Sequence, residues 1–346
     1  MRFSAMGDVA MVVPVLHALA TQNTELRITM LTRTRFVPMF EWMPSNVQVK
    51  GIDFEKGDGI IGLTKIYRKL KSGSYDAVAD LHDVLRTKFL RTCFRVDGVR
   101  VAVVDKCRKE RKALIGNGQT HEPLRPMPER YADVFRSLGL PVDLSKRRKI
   151  DLRGENFTPL RSISGQKKQG EKWIGIAPFA AHPQKIYPLG KMQRVAQLLA
   201  ERGYRVFLFG AGNTEQKTLS DWECNEVGKQ SSTDARTGII SVCGKLGNLH
   251  NEMLLMSQLD LMVSMDSANM HLASIMSIPV LSVWGATHPK AGFYGYGQSA
   301  ENVIQLGVEC RPCSIYGNKP CRFGDLRCMN FTPESIANKV SEIVER

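Results

Sequence analysis

The residue types that chemistry uses gather in a few stretches of this chain. The densest is Ser264-Met265-Asp266-Ser267-Ala268-Asn269-Met270-His271-Leu272-Ala273, where an apolar run ends in Asp-Ser and a helical pattern starts at once. The open N–H groups of a first helical turn attract anions, a diphosphate among them. Asp266 or Ser267 can cap that helix. His271 falls in its first turn, within reach of a phosphate or a sugar hydroxyl; a buried core histidine is the competing reading. The stretch Ser4-Ala5-Met6-Gly7-Asp8-Val9 sets a carboxylate at a tight turn before a helix. Asp8 there reads either as an N-cap or as a general base that takes a proton from a hydroxyl.

Three further loops follow strand-like runs. Lys185, at the end of Pro178-Phe179-Ala180-Ala181-His182-Pro183-Gln184-Lys185, can serve a phosphate as a mobile point charge, or be an ordinary loop lysine. Phe209-Gly210-Ala211-Gly212-Asn213-Thr214-Glu215 opens a helix on glycines, but it lacks the third glycine of a dinucleotide fingerprint and any Walker lysine. Trp284-Gly285-Ala286-Thr287-His288-Pro289 closes the same pocket as Asp266–Leu272, unless it is a plain turn. Cys310, Cys313, Cys321 and Cys328 are spaced C-x2-C-x7-C-x6-C, which is compatible with structural zinc, reduced structural thiols or a redox-sensitive loop. Four thiolates would leave zinc no open position, so zinc bound there would be structural.

The elements that must hold these loops alternate between strand-like and helix-like, which predicts parallel α/β architecture. In the first half the pattern predicts helices at 9–20, 36–43, 60–71, 85–94 and 130–138, with strands at 27–32, 47–52, 75–81 and 98–104. A polar, Gly-, Ser- and Lys-rich stretch at 152–171 reads as a linker. The second half predicts strands at 173–177, 205–209, 239–242, 259–264 and 279–284, helices at 189–202, 214–226, 249–258 and 268–276, and a terminal helix starting at Thr332 or Pro333. This gives a first domain over 1–155, a linker over 156–171, a second domain over 172–330, and a helix at 331–346 that packs back on the first domain. In such sheets ligands bind at the carboxyl ends of the strands.

Bulk properties narrow the partners. The 346 residues suit two domains, and 43% hydrophobic with 24% charged residues suits a globular chain. No apolar run is long enough to span a bilayer, and the first residues lack a signal peptide's layout, so a cytoplasmic chain with reduced cysteines is expected. The net charge of +14 favours polyanions. Basic runs at 86–95, 106–112, 146–149 and 166–172 read as solvated faces, or as docking for an anionic membrane face or a phosphorylated substrate. Nucleic acid is disfavoured, because aromatics are not interleaved with the charge.

Taken together, the motifs resemble those of the lipopolysaccharide heptosyltransferase family, the ADP-heptose-dependent glycosyltransferases of family 9. Ser-Ala-Met-Gly-Asp is similar to its S-x-x-G-D turn, Asp-Ser-Ala-Asn-Met-His-Leu-Ala to its D-[ST]-G-x-x-H-L-A segment, and Trp-Gly-Ala-Thr-His-Pro to its [FWY]-G-x-T-x-P segment. The resemblance implies a GT-B fold, two Rossmann-like domains with parallel sheets facing a central cleft, and inverting transfer with no cofactor or divalent metal. It makes Asp8 the base and Lys185 a donor-phosphate contact, and it puts Asp266, Ser267, Ala268, Asn269, Met270, His271 and Thr287 on the donor. Glu215 lies near a ribose-binding glutamate. Ser4, Met6, Gly7, His82 and Arg86 fall on the acceptor side. The implied donor is ADP-heptose. The implied acceptor is a phosphorylated glycolipid of the lipopolysaccharide core kind, met at the inner face of the cytoplasmic membrane. Three departures stand out. Only Met1-Arg2-Phe3 precede the first turn, so most of that fold's first strand is missing; Ala268 replaces a glycine; and Ala180-Ala181 stand where some members carry hydroxyls. A nucleotide-sugar 2-epimerase, or a non-catalytic basic protein with a four-cysteine zinc knot, are the alternative readings.

Overall fold

The computed structural model describes residues 1–54, 59–116, 121–146, 150, 152, 155–227 and 238–346; the basic run at 146–149 lies mostly outside them. The chain forms two compact units, Met1–Cys107 with Arg125–Lys149, and Arg108–Leu124 with Ile150–Arg346.

The first unit opens with α1 (Met6–Ala10) and α2 (Val12–Gln22). α2 buries Val12, Val13, Val15, Leu16 and Leu19, and its Pro14 sits in the first turn, where a missing N–H costs nothing. β1 (Ile28–Arg33) pairs in parallel with β2 (Val47–Ile52), Ile28 opposite Val47. α3 (Gly59–Lys71) follows. Then β3 (Ala77–Asp80) pairs in parallel with β4 (Arg100–Val103) through the crossover α4 (Leu85–Val96). The chain leaves the unit for α5 (Arg108–Leu114) and returns with α6 (Met127–Arg136).

The two strand pairs of this unit do not bond to each other. Met1–Phe3 bridges them through its backbone. The Arg2 N–H donates to the Leu31 carbonyl at 3.1 Å, the Leu81 N–H donates to the Met1 carbonyl at 3.2 Å, and the Met1 ammonium donates to the Ala79 carbonyl at 2.8 Å. The spatial order is therefore β2, β1, Met1–Phe3, β3, β4. Burial pushes the Met1 ammonium down to about 6, with Arg2 adding to the effect against Asp80. A cation whose native pKa lies below its unfolded value loses stability as pH falls, so this group's contribution is full above pH 8 and lost as pH falls through 6. Amino-terminal acetylation should flatten that pH 6–8 slope in urea unfolding by up to ~2–3 kcal/mol. An unchanged slope would refute the assignment.

The second unit begins inside the expected linker, where Pro159 nucleates a short helix, α7 (Thr158–Ser164), which buries Leu160. Then come β5 (Trp173–Ala177), α8 (Leu189–Glu201), β6 (Arg205–Leu208), α9 (Asn213–Val227), β7 (Gly238–Ser241), α10 (Leu249–Met256), β8 (Leu261–Met265), α11 (Ala268–Ile275), β9 (Val280–Val283), β10 (Val303–Ile304) and α12 (Pro333–Val344). All six strands are parallel, in the order β10-β9-β8-β5-β6-β7. Every residue of β5, β8 and β9 is buried, which is why these strands read as unbroken apolar runs. Counted from β5, this is the Rossmann order, and its direction reverses between β5 and β8.

Two expectations are corrected here. The terminal helix was expected on the first domain, but α12 belongs to the second unit, where Ile336, Ala337 and Val340 join the core of α8 residues Met192, Val195 and Leu199. Residues 108–124, expected in the first domain with a solvated basic run, also belong to the second unit. Leu114 and Leu124 pack with Ala291 and Ile315. The Gly116 and Leu124 N–H groups donate to the Pro312 and Lys290 carbonyls. The Arg111 guanidinium lies 4.5 Å from the Phe293 ring centre and donates to the Tyr316 hydroxyl.

Candidate functional site

The reversal between β5 and β8 leaves a crevice at their carboxyl ends, the place where Rossmann sheets hold ligands. The loops after these two strands meet there. Lys185, in a 3-10 turn at Pro183–Lys185, sets its Nζ 2.8 Å from Asp266 Oδ2. The Thr287 hydroxyl donates to the same oxygen at 2.7 Å. All three predicted residues thus come together, and their side chains are largely buried. Lys185 has three N–H donors and spends one on Asp266, so two stay available to an anion.

Ser267 is the N-cap of α11, yet its side chain makes no cap bond; its hydroxyl meets Ser264 Oγ at 3.2 Å instead. The first-turn N–H groups are not consumed by that side chain. Ala268 is the first helical residue and is not among the residues with positive φ, so alanine fits where a glycine was expected. Asn269 is half-buried. Met270 is fully buried and His271 is buried. The Met270 side chain lies in the core, so only its backbone can serve a ligand in this arrangement. Glu215 does not stand free: its Oε2 accepts the Ala211 N–H at 2.8 Å and so braces the glycine loop that starts α9.

Two groups escaped the sequence reading. Arg311 is 1% exposed and donates to the carbonyls of Gly285 (2.5 Å), Leu306 (2.6 Å) and Thr287 (2.8 Å), and to Gln305 Oε1 (3.0 Å). It therefore holds the turn that presents Thr287. An arginine between two cysteines was the only signal. Glu252 in α10 is pushed up to about 7 by burial, placing a titratable carboxyl in the physiological range. His288, next to Thr287, is pushed down to about 4 by burial, with Arg311 and Lys290 adding to it, so it is neutral near pH 7.

Among the described residues no group of three or more His, Cys, Asp or Glu is placed to hold a metal ion, and the four late cysteines are free thiols. The four differ. Burial pushes Cys313 up to about 11, and the neighbouring cysteines add to the shift. At Cys321 burial works the other way from the Leu326, Phe323, Gly324 and Asp325 N–H groups, which win and bring the thiol below its usual range. Cys321 should therefore alkylate with iodoacetamide at a lower pH than Cys313, as read by peptide mass mapping across pH 6–9. Equal pH-rate profiles would contradict this.

In the first unit, Asp8 is not the N-cap but the third residue of α1. Its Oδ2 accepts the Ala5 N–H at 3.2 Å and pairs with the Arg2 guanidinium at 2.6 Å. Arg2 is itself buried and also donates to the Leu81 carbonyl at 2.7 Å. Both of these Asp8 contacts use Oδ2. His82 joins this cluster: its Nδ1 accepts the Phe3 N–H at 3.4 Å, and its Nε2 lies 3.3 Å from Ser4 Oγ. Burial, then the Arg2 and Lys106 charges, push His82 down to about 4, so it is a neutral imidazole near pH 7. Asp80 below it is held under the usual carboxylate range: burial opposes this, but the Asp83 and His82 N–H groups, the Met1 ammonium and Arg91 prevail. Arg91 pairs with Asp80 at 2.7 Å and with Asp83 at 3.0 Å, which neutralises part of the basic run at 86–95. Arg86 is exposed, with its guanidinium 4.6 Å from the Phe54 ring centre. Structure thus gathers Ser4, Asp8 and His82, with Arg2 as the member that sequence reasoning missed.

A six-stranded parallel sheet in Rossmann order in one unit, beside an α/β unit with two parallel strand pairs, is the kind of architecture that the GT-B glycosyltransferases have. The chain belongs to glycosyltransferase family 9 (heptosyltransferase), whose family model matches residues 63–323. Among curated relatives, lipopolysaccharide heptosyltransferase 3 of Escherichia coli K12 is 24% identical over 312 residues, covering 87% of this chain and 84% of its own. Among solved structures, E. coli ADP-heptose lipopolysaccharide heptosyltransferase II superposes with a TM-score of 0.70 at 19% identity, over 100% of this chain and 99% of its own. An E. coli heptosyltransferase solved with ADP-2-deoxy-2-fluoro heptose gives 0.62 at 17% identity, over 100% and 99%. The enzyme is thus a glycosyltransferase. Among the described residues no helix is long and apolar enough to cross a membrane.

Proposed function

We propose that this heptosyltransferase-family enzyme moves heptose from ADP-heptose onto a phosphorylated glycolipid of the lipopolysaccharide core kind, inverting the anomeric centre. The observation that carries the donor half is the Lys185–Asp266–Thr287 cluster beside the uncapped first turn of α11. A leaving nucleoside diphosphate gains negative charge as the glycosidic bond breaks, and fixed donors aimed at that charge lower the barrier. Lys185 and the N–H groups of Ala268, Asn269 and Met270 supply them. Asp8 takes the proton of the acceptor hydroxyl as its oxygen attacks the anomeric carbon. Ser4, Met6, Gly7, neutral His82 and Arg86 line the acceptor side, and Glu215 stands by the ribose.

Contact with an anionic membrane face draws support from α3 and α4. They leave Ile60, Ile61, Leu85 and Val96 strongly exposed, and Arg86 and Arg95 are sequence neighbours of the last two. Apolar anchors next to cations are what an interfacial surface needs.

The test of the donor is a thermal-shift screen with ADP-, GDP- and UDP-sugars, since a ligand that binds only the native state raises the melting temperature. ADP-heptose should give the largest shift, and sugar should then appear on a lipid acceptor. Equal shifts with GDP- or UDP-sugars would overturn the donor assignment.

A further inference from the structure

The proposed diphosphate site lies at the ends of β5 and β8, at Lys185, Asp266 and Thr287. From β5 the sheet runs on through β6 to β7. Neighbouring strands are about 4.8 Å apart, so about 10 Å separates the ends of β5 and β7. A nucleotide with its diphosphate at β5 would lay its ribose over the end of β6 and its base over the end of β7. The loops there are open: Ala211, Gly212 and Asn213 after β6 are exposed, and so are Gly244, Lys245, Gly247 and Asn248 after β7. Two contacts tie the second loop to the start of α10. Asn248 Oδ1 accepts the Asn251 N–H at 2.8 Å, and Asn251 Nδ2 donates to the Leu246 carbonyl at 2.8 Å.

Glu252 stands in the first turn of α10, beside this loop. The next four residues, Met253 to Met256, are all buried, so the carboxyl borders an apolar core. Glu252 is itself half-buried, and among the described residues its carboxyl makes no hydrogen bond and no ion pair. Burial pushes it up to about 7, although the amino end of a helix favours the ionised form. Cys243, on the loop after β7, lies close enough to feel the charges of both Glu215 on α9 and Glu252. Burial first, and then these two carboxylates, push its thiol up to about 11, so it adds no charge near pH 7. The nearby cations are engaged elsewhere: Lys245 pairs with Glu223 at 2.8 Å, and His250 meets Glu155 at 3.5 Å. His271, on the α11 helix that packs against α10, is buried.

A desolvated carboxyl costs stability that an apolar side chain at this place would not. Its position over the end of the sheet gives it a use. We infer that Glu252 reads the base of the donor nucleotide, its carboxyl pairing with the amino group and the neighbouring ring nitrogen of adenine. The inference rests on the adenine-nucleotide donor proposed above. A neutral carboxyl offers an acceptor and a donor side by side. The Watson–Crick edge of adenine offers the complement, since its N6 amino group donates and its N1 accepts. Guanine presents two N–H donors at the same edge, and the O–H of a neutral carboxyl opposes one of them. The pair therefore selects adenine while the carboxyl holds its proton, and the affinity falls as pH rises through about 7.

The test is calorimetric titration with ADP and GDP at about pH 6 and about pH 8.5, on the native chain, Glu252→Gln and Glu252→Leu. Glutamine keeps an acceptor and a donor side by side but does not titrate. The ratio of native to Glu252→Gln affinity for ADP should therefore fall by about tenfold or more between the two pH values, and the titration of the ADP phosphate cancels in that ratio. At the lower pH, Glu252→Leu should bind ADP about 10- to 100-fold more weakly than the native chain, the worth of two hydrogen bonds, and GDP no more weakly. Equal ADP affinity for the native chain and Glu252→Leu would overturn the inference, and so would a native-to-Gln ratio that does not move with pH. A native chain that binds GDP as tightly as ADP would overturn the donor reading itself, and the inference with it.

Discussion

Replacing Asp8 with asparagine is expected to cut the transfer rate by about 10²- to 10⁴-fold, the usual contribution of a positioned proton acceptor. The amide keeps the shape of the carboxylate. Its oxygen can still accept the Ala5 N–H that Asp8 Oδ2 now takes at 3.2 Å, so α1 keeps its start. What it loses is basicity and the charge that pairs with Arg2 at 2.6 Å. Arg2 retains the Leu81 carbonyl and the face of Tyr131, 5.8 Å away, so the unit should fold with a modest loss of stability. Donor affinity should be untouched, since Lys185 and Asp266, the proposed diphosphate site, lie in the other unit. The measurement is kcat with a lipid acceptor beside nucleotide-sugar binding by calorimetry. A variant that keeps more than about a tenth of the rate, or whose loss lies wholly in donor affinity, would remove Asp8 from the role of base.

How much of this was legible beforehand depended on how local each cause is. β5 and β2 were read with the bounds that the structure has: β5 is a short apolar run between polar residues, and β2 alternates Val47 and Val49 with Gln48 and Lys50, and both patterns leave a strand little freedom in its limits. The loops at the ends of β5, β8 and β9 were found for the same reason, and the strand order brings Lys185, Asp266 and Thr287 together. α5 was missed because Arg108–Leu114 carries little apolar periodicity; tertiary contacts of Leu114 and Arg111 decide its state. The apolar stripe of α12 says that one face is buried but not against what, and here it meets α8. Arg2 gave no signal in the sequence, and Arg311 only its place between two cysteines. Each matters through partners far along the chain: Arg2 reaches Leu81, and Arg311 reaches Gly285 and Thr287.

Replacing Lys185 with methionine should destabilise the second unit by about 3–5 kcal/mol, the cost of stripping one partner from a buried ion pair. Asp266 keeps only a small exposed fraction, so the orphaned carboxylate would be left with the Thr287 hydroxyl and little water. Methionine preserves the bulk that packs over Gly317, where an added Cβ would fall 2.6 Å from Lys185 Cγ, so the loss reports on charge rather than on a cavity. The double variant Lys185→Met/Asp266→Asn should recover much of that stability, because asparagine removes the uncompensated charge while still accepting from Thr287. Such recovery in a double-mutant cycle is the mark of direct coupling. Donor binding should not recover with it. Both variants lack the cation proposed to meet the diphosphate, so both should bind nucleotide sugar about 10- to 150-fold more weakly, the worth of a hydrogen bond to a charged group. Urea unfolding gives the first quantity and calorimetric titration the second. If stability and affinity are regained together, Lys185 serves the fold alone and the diphosphate is held by the first turn of α11 without it.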